Sequence, residues 1–166
     1  MHKNEILTLY DYNYWANERI FNALASVSQE QFLAPATHSW GGLRGTLVHV
    51  FNGEWIWRMR CQHRVYPQAF IPEEDFADFA TLRGRWATEE ANMREYLNGV
   101  TSDQLNRPAS YEAFANKSYQ HPLWLILTHV VNHGTQHRSE CATMLTQLGH
   151  SPGSIDLITW LRETGV

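Results

Sequence analysis

Between Asn4 and Ala25 the residues Ile6, Tyr10, Tyr14, Phe21 and Leu24 recur at intervals of three, four and seven. That is the period of a helix with one face turned inward. The stretch Ser28-Gln-Glu-Gln31 has the spacing of a capping box and predicts at most a short helical turn, after which Pro35 and the segment His38–Gly42 break the pattern. From about Leu43 to Gln62, Leu47, Val50, Phe51, Trp55, Ile56 and Trp57 surround much of a second helix, which is therefore expected to be largely buried. Residues 63–75 hold Pro67 and Pro72 without a sustained period and read as a connection.

A third helix is expected from about Asp78 to Leu97, with Leu82, Trp86, Met93 and Leu97 on one face and Gly99 ending it in a left-handed conformation. In the connection that follows, SYEAFANKSYQ is compatible with a small hairpin. The fourth helix begins near Pro122 and runs to about Leu148, where Gly149 stops it, and Ser154 is placed as the cap of a short C-terminal helix, IDLITWLRE. The pattern predicts an all-α fold: a four-helix bundle with long crossover connections, a short C-terminal helix and no sheet of any size.

The length of 166 residues fits a single domain over 1–166. Cys61 and Cys141 stand far apart and form no CxxC pair, which supports neither a disulfide framework nor a cysteine zinc site, and both thiols are expected to be reduced, buried and inert. Seventeen acidic against thirteen basic residues leave a net charge of −4, with Lys and Arg scattered singly. Such a surface has no electrostatic footprint for nucleic acid. Charges interrupt the N-terminal stretch MHKNEILTLYDYNYWANER, and no apolar run approaches the roughly 20 residues that span a bilayer, so a cytoplasmic protein without membrane contact is expected. The seven tryptophans mostly sit at helical spacing, where packing accounts for them.

Histidine changes this picture. In HVVNHGTQHR, His129, His133 and His137 follow one another at four-residue intervals. On an α-helix, residues four apart differ by about 40° and about 6 Å in height, so two imidazoles converge on one ion, whereas residues eight apart lie about 12 Å apart. With metal–imidazole bonds of about 2.0–2.1 Å, one helix supplies only two of the three. Taking about 100° per residue with His133 at zero, Leu123, Ile126, Leu127, Val130, Cys141, Met144, Leu145 and Leu148 centre an apolar face near about 70°. His137 then lies about 30° from that centre, His133 about 70° and His129 about 110°, which selects His133 and His137 and leaves His129 to support a ligand from behind or simply to pack. Gly134, near about 100° on the same wheel, costs about 1 kcal/mol relative to Ala and implies close approach by a neighbouring helix or a ligand.

A third ligand must come from another helix. In GTLVHVFNGEWIW, His49 is flanked at i−4 and i+4 by Gly45 and Gly53, small residues that leave room for an ion. A single histidine on an apolar face is more often a hydrogen-bonded core residue, but three buried histidines without metal each need a partner, since an unpaired buried polar group costs about 1–3 kcal/mol. His49, His133 and His137 together make a three-nitrogen set with open coordination positions, the arrangement of a catalytic rather than a structural site. Glu54 and Glu140 are the acid–base candidates nearest to these ligands in sequence. Trp57 and Met144, which line the bundle, read as core.

At these residues the chain resembles the DinB/YfiT-like family of small metal-binding helical proteins. YNYWANERIFNAL is similar to that family's first helix, GGLRGTLVHVFNGEWIWRMR to its second, HVVNHGTQHR to its HxxxHR segment, and DLITWLRE to its ending, so the likeness spans nearly the whole chain. The resemblance implies a down-up-up-down bundle, commonly a homodimer, with the metal on His49, His133 and His137. It implies zinc or nickel, a small-molecule substrate and, by analogy with some relatives, a thiol-dependent S-transferase or isomerase using a low-molecular-weight thiol cosubstrate. A hydrolase, a non-catalytic metal-binding stress-response protein and a metal-free helical interaction module are the alternatives. Ser139 and Glu140 stand where the family pattern has Gly and Gln.

Overall fold

The computed structural model describes residues 1–113 and 117–166. Four long helices carry the fold: α1 (Lys3–Leu24), α3 (Leu43–Arg58), α4 (Phe79–Gly99) and α6 (Leu123–Gln147). Three short ones, α2 (Gln29–Leu33), α5 (Ser102–Asn106) and α7 (Leu157–Thr164), lie in the connections or close the chain. Strands β1 (Pro108–Ala113) and β2 (Lys117–Pro122) pair antiparallel, with Tyr111 opposite Tyr119. The architecture is thus mostly helical with a two-stranded sheet, not purely α. That sheet coincides with the hairpin anticipated over 110–120, whose residues 114–116 lie outside the described residues. No helix among the described residues is long and apolar enough to cross a membrane.

Helix boundaries follow local chemistry. Ser28 and Thr101 each begin a short helix with a reciprocal capping box, and the Asp78 carboxylate accepts from Thr81 N at 2.7 Å to start α4. Gly149 ends α6 with φ 83°, as expected of a glycine there, but Gly99 stays helical and the chain leaves α4 through an extended Val100. The C-terminal helix is capped by Asp156 rather than Ser154, whose hydroxyl instead bonds Thr159 at 2.8 Å.

The second helix does not continue regularly to Gln62. It widens at Met59–His63 into a π turn that closes on a left-handed Arg64, φ 54°. Arg58 lies at its start: Nη1 donates to Gln62 Oε1 at 2.9 Å and faces His63 Nε2 at 3.3 Å. One guanidinium thus meets residues four and five ahead, both within the widened turn.

Helix α6 packs against α1 and α3, and α4 packs against the same two. Two apolar clusters fill the interior. One gathers Ile20, Phe21, Leu47, Phe51, Leu82, Trp86, Met144 and Leu145, the other Ile6, Tyr10, Met93, Leu97, Leu127 and Trp160. Along every long helix a buried polar stretch separates them: Asn13 and Asn17 on α1, Glu54 and Arg58 on α3, Glu89 on α4 and Arg138 on α6. These groups are paired across helices. The Arg58 guanidinium donates to both oxygens of Glu89, at 2.5 and 2.7 Å, and Arg138 Nη1 donates to Asn13 Oδ1 and Asn17 Oδ1, at 2.5 and 2.8 Å. Gly134 makes the second contact possible, because a Cβ there would stand 2.7 Å from Arg138 Nη1 and 3.1 Å from Asn13 Oδ1. The close approach inferred at this glycine is therefore that of α1.

Candidate metal centre

His133 and His137 occupy successive turns of α6, and His49 faces them from α3. The three ring centroids form a triangle with every side 4.7 Å. One ligand atom from each ring lies within 4.8 Å of the other two, so the group could hold a metal ion. Burial on α6 falls from His137, 5% exposed, through half-buried His133 to exposed His129, the order given by the helical wheel. His129 is not part of the triangle; its ring stands 5.8 Å from that of His133 and 5.5 Å from that of Trp57.

Gly53 sets the approach of α6. A Cβ there would lie 2.8 Å from His133 Cε1 and 2.9 Å from Nδ1, so the missing side chain is the space the imidazole fills. Gly45 has a different role from the one its spacing suggested: the backbone carbonyl of Trp40 occupies the position of its absent Cβ.

Electrostatics suit the His49 and His133 rings to binding a cation as neutral ligands. Burial, followed by the neighbouring imidazoles of His49 and His137, lowers His133 to about 3, and burial with His137 lowers His49 to about 4. Both are neutral at pH 7. Their Nε2 atoms face each other at 2.8 Å, a separation that needs a proton or a cation between the two lone pairs. Nδ1 of His49 is buried without a hydrogen-bond partner among the described residues. His137 Nδ1 lies 3.1 Å from Glu140 Oε2; we assign it the proton, which turns Nε2 toward the other two rings. The neutral rings of His49 and His133, the approach of a third imidazole and a carboxylate behind it are a donor set that fits a metal ion.

The segment before α3 covers this centre, and the sequence pattern did not reveal it. The Trp40 ring stacks on His49 at 3.6 Å and 11°, and Ser39 Oγ donates to the second oxygen of Glu140 at 3.3 Å. Trp40 is 42% exposed, so it forms a partial roof. A tryptophan in the glycine-flanked stretch HSWGG just before the His49 helix was the available signal. Beside it, a cavity of about 220 Å³ opens between Trp40, His49, Asn52 and Phe70.

The two glutamates separate. Glu140 sits on His137, whereas Glu54, 2% exposed, turns toward α1 and accepts from Tyr14 OH at 2.6 Å. Burial raises Glu54 to about 7, opposed by that hydrogen bond and by Arg138 and assisted by Glu89 and Glu90. Both thiols are free; Cys141 is buried as expected but Cys61 only half-buried, and desolvation disfavours the thiolate of each, raising Cys61 to about 12. Met144 is core, while Trp57 is half-buried.

The profile of the DinB family matches residues 1–164. A curated relative, "Protein DinB" of Bacillus subtilis (strain 168), is 26% identical over 160 residues, covering 94% of this chain and 93% of that protein.

Proposed function

The chain belongs to the DinB family, and we propose that it is a metal-dependent enzyme in which His49, His133 and His137 hold one divalent ion, zinc or nickel, for transfer of a low-molecular-weight thiol to a small electrophile. The observation that carries this reading is the equilateral set of imidazoles, 4.7 Å apart, closed on one side by the Glu140 carboxylate and roofed only in part by Trp40. When bound, the ion supplies Lewis acidity, lowering the pKa of a thiol or water brought against it. The packing of α6 and of α4 against both α1 and α3 supports the four-helix bundle of down-up-up-down connection as the frame.

The chain's own residues then act as follows. Burial keeps the His49 and His133 rings neutral, so protons do not compete for their lone pairs at pH 7. Glu140 holds the Nδ1 proton of His137 and, through Ser39, ties that ligand to the segment bearing Trp40. Trp40 lies flat on His49, fixing the ring plane and excluding water from that side. Glu54 belongs to the buried pairing with Tyr14.

Elemental analysis of the purified protein tests the site: about one divalent transition ion per chain is expected, lost in His133→Ala, and equal metal content in both proteins would refute it. A panel of low-molecular-weight thiols with a generic electrophile tests the reaction. A metal-dependent rate with one thiol is expected; hydrolysis of activated esters without any thiol dependence would favour a hydrolase instead.

A further inference from the structure

Gly45, Val48, His49 and Asn52 follow one another at helical spacing on one face of α3, and together with Trp40 and residues 70–73 they line a cavity of about 220 Å³. We propose that this cavity is the acceptor subsite of the histidine centre: it binds the uncharged, apolar part of the small electrophile, about one substituted benzene ring in size, against His49. A molecule held there touches a member of the histidine triangle directly, because His49 is itself part of the wall.

Both walls that rise from α3 are fixed to it. The backbone carbonyl of Trp40 occupies the position of the absent Gly45 Cβ, and the Trp40 ring lies on His49 at 3.6 Å. On the other side the buried Asn52 amide pairs with both backbone groups of Ile71, Nδ2 donating to its carbonyl oxygen and Oδ1 accepting from its N–H, each at 2.9 Å. That pairing holds the segment bearing Phe70 at a set distance from the helix. A recess held open on two sides needs little ordering when a ligand enters, which favours binding.

The chemistry of the walls selects the ligand. Val48 is buried at the base, while Trp40 and Phe70 stay 42% and 39% exposed, two large apolar rings left in water at the edge of a concave surface. Their planes are perpendicular at 6.4 Å, and the Phe70 ring meets that of His49 at 5.9 Å and 85°. Glu73 is the one charged residue among the described lining residues, and its Oε1 accepts from Arg44 Nη2 at 2.7 Å. A charged ligand group would leave water without an opposite charge reserved for it, whereas an apolar group loses nothing by entering. An apolar cavity of about 150 Å³ holds benzene, so this larger one admits a substituted ring.

The role as acceptor subsite rests on the transferase reading above; the binding of uncharged apolar molecules does not. With a benzyl chloride as acceptor, the thiol sulfur forms a bond to the benzylic carbon, chloride leaves with the bonding pair, and the thiol proton passes to solvent.

Calorimetric titration of the metal-loaded protein with 4-chlorobenzyl alcohol, 4-hydroxybenzyl alcohol and (4-chlorobenzyl)trimethylammonium tests the binding. One saturable site per chain is expected for the chloro alcohol, with the other two probes at least fivefold weaker. Phe70→Ser, at an exposed position, is expected to weaken the chloro alcohol at least fivefold with metal content unchanged, and Phe70→Leu to restore most of the affinity. Leu125→Glu, an exposed position on α6 outside this cavity, is expected to leave it within twofold. No saturable binding, unchanged affinity in Phe70→Ser, loss in Leu125→Glu, or equal affinity for the three probes would overturn the assignment. Turnover of 4-chlorobenzyl chloride with a thiol tests the role: Phe70→Ser is expected to raise KM for the chloride at least fivefold and to leave KM for the thiol within twofold. Unchanged KM for the chloride, despite weakened probe binding, would refute the role. Absence of any thiol-dependent turnover, with the probe still bound and still sensitive to Phe70, would refute the transferase reading and retain the binding site.

Discussion

Glu140 Oε2 lies 3.1 Å from Nδ1 of His137, one turn along the same helix, and its other oxygen accepts from Ser39. A carboxylate behind a ligating imidazole orients the ring and strengthens its lone pair, and losing such a partner typically costs about 10- to 100-fold in metal affinity. Glu140→Ala is accordingly expected to weaken zinc binding by that factor in competition with a chromogenic chelator. Glu140→Gln keeps an oxygen acceptor and should lose less. Identical affinities in all three proteins would show that the carboxylate does not support the ligand.

The metal-free protein should have a two-sided pH dependence of stability. His133 and His49 titrate lower folded, about 3 and about 4, than their ordinary 6.5, so the unfolded chain binds more protons below pH 6.5 and stability falls as the pH is lowered from there. Glu54 runs the other way. Its folded value near 7 lies above the ordinary 4.5, so the folded state holds the extra proton and stability is lost as the pH rises from 4.5 through 7. That loss amounts to about 3 kcal/mol, since every factor of ten in proton affinity is worth about 1.4 kcal/mol. Glu54→Gln keeps an acceptor for Tyr14 and removes the ionisation, so urea unfolding should show the variant gaining on the parent by a few kcal/mol between pH 5 and pH 8. A difference that is the same at both pH values would refute the account.

Arg58 and Glu89 form a two-point ion pair with side chains only 7% and 4% exposed. Removing one partner strands a buried charge, at about 3–5 kcal/mol, whereas replacing both by apolar groups of similar size is often neutral or stabilising. Glu89→Leu should therefore destabilise strongly and Arg58→Met with Glu89→Leu should recover most of the loss. Urea midpoints of the two single variants and the double variant test this. A double variant as unstable as the sum of the singles would mean that the charges, rather than the packing around them, are needed.

The long helices were legible because each turns an apolar stripe inward over many turns, and the same wheel ranked the burial of His137, His133 and His129. Helix α5 was not, since five residues are too few to establish a period, although Thr101 and Gln104 carry its capping box. The π turn at Met59–His63 was not legible either, because the apolar spacing of this helix carries no mark of a widened turn. The same holds at the centre. Histidine spacing placed two rings on one face of α6, but Trp40 reaches His49 only through the path of a loop. The contact of Asn13 and Asn17 with Arg138 left a trace, two asparagines four residues apart on the inward side of α1.

Gly53 offers a way to separate stability from metal binding. It lies inside α3 with an ordinary helical backbone, so Ala in its place gains about 1 kcal/mol of helix propensity. The new Cβ would stand 2.8 Å from His133 Cε1, closer than real contacts allow, so the ring must leave its present position, from which its Nε2 approaches that of His49 at 2.8 Å. A ring on a rotatable side chain can yield where backbone could not. Gly53→Ala is therefore expected to leave the unfolding midpoint of the metal-free protein within a few degrees of the parent while weakening zinc binding at least tenfold in chelator competition. Unchanged affinity would mean that His133 does not need its present position to hold the ion.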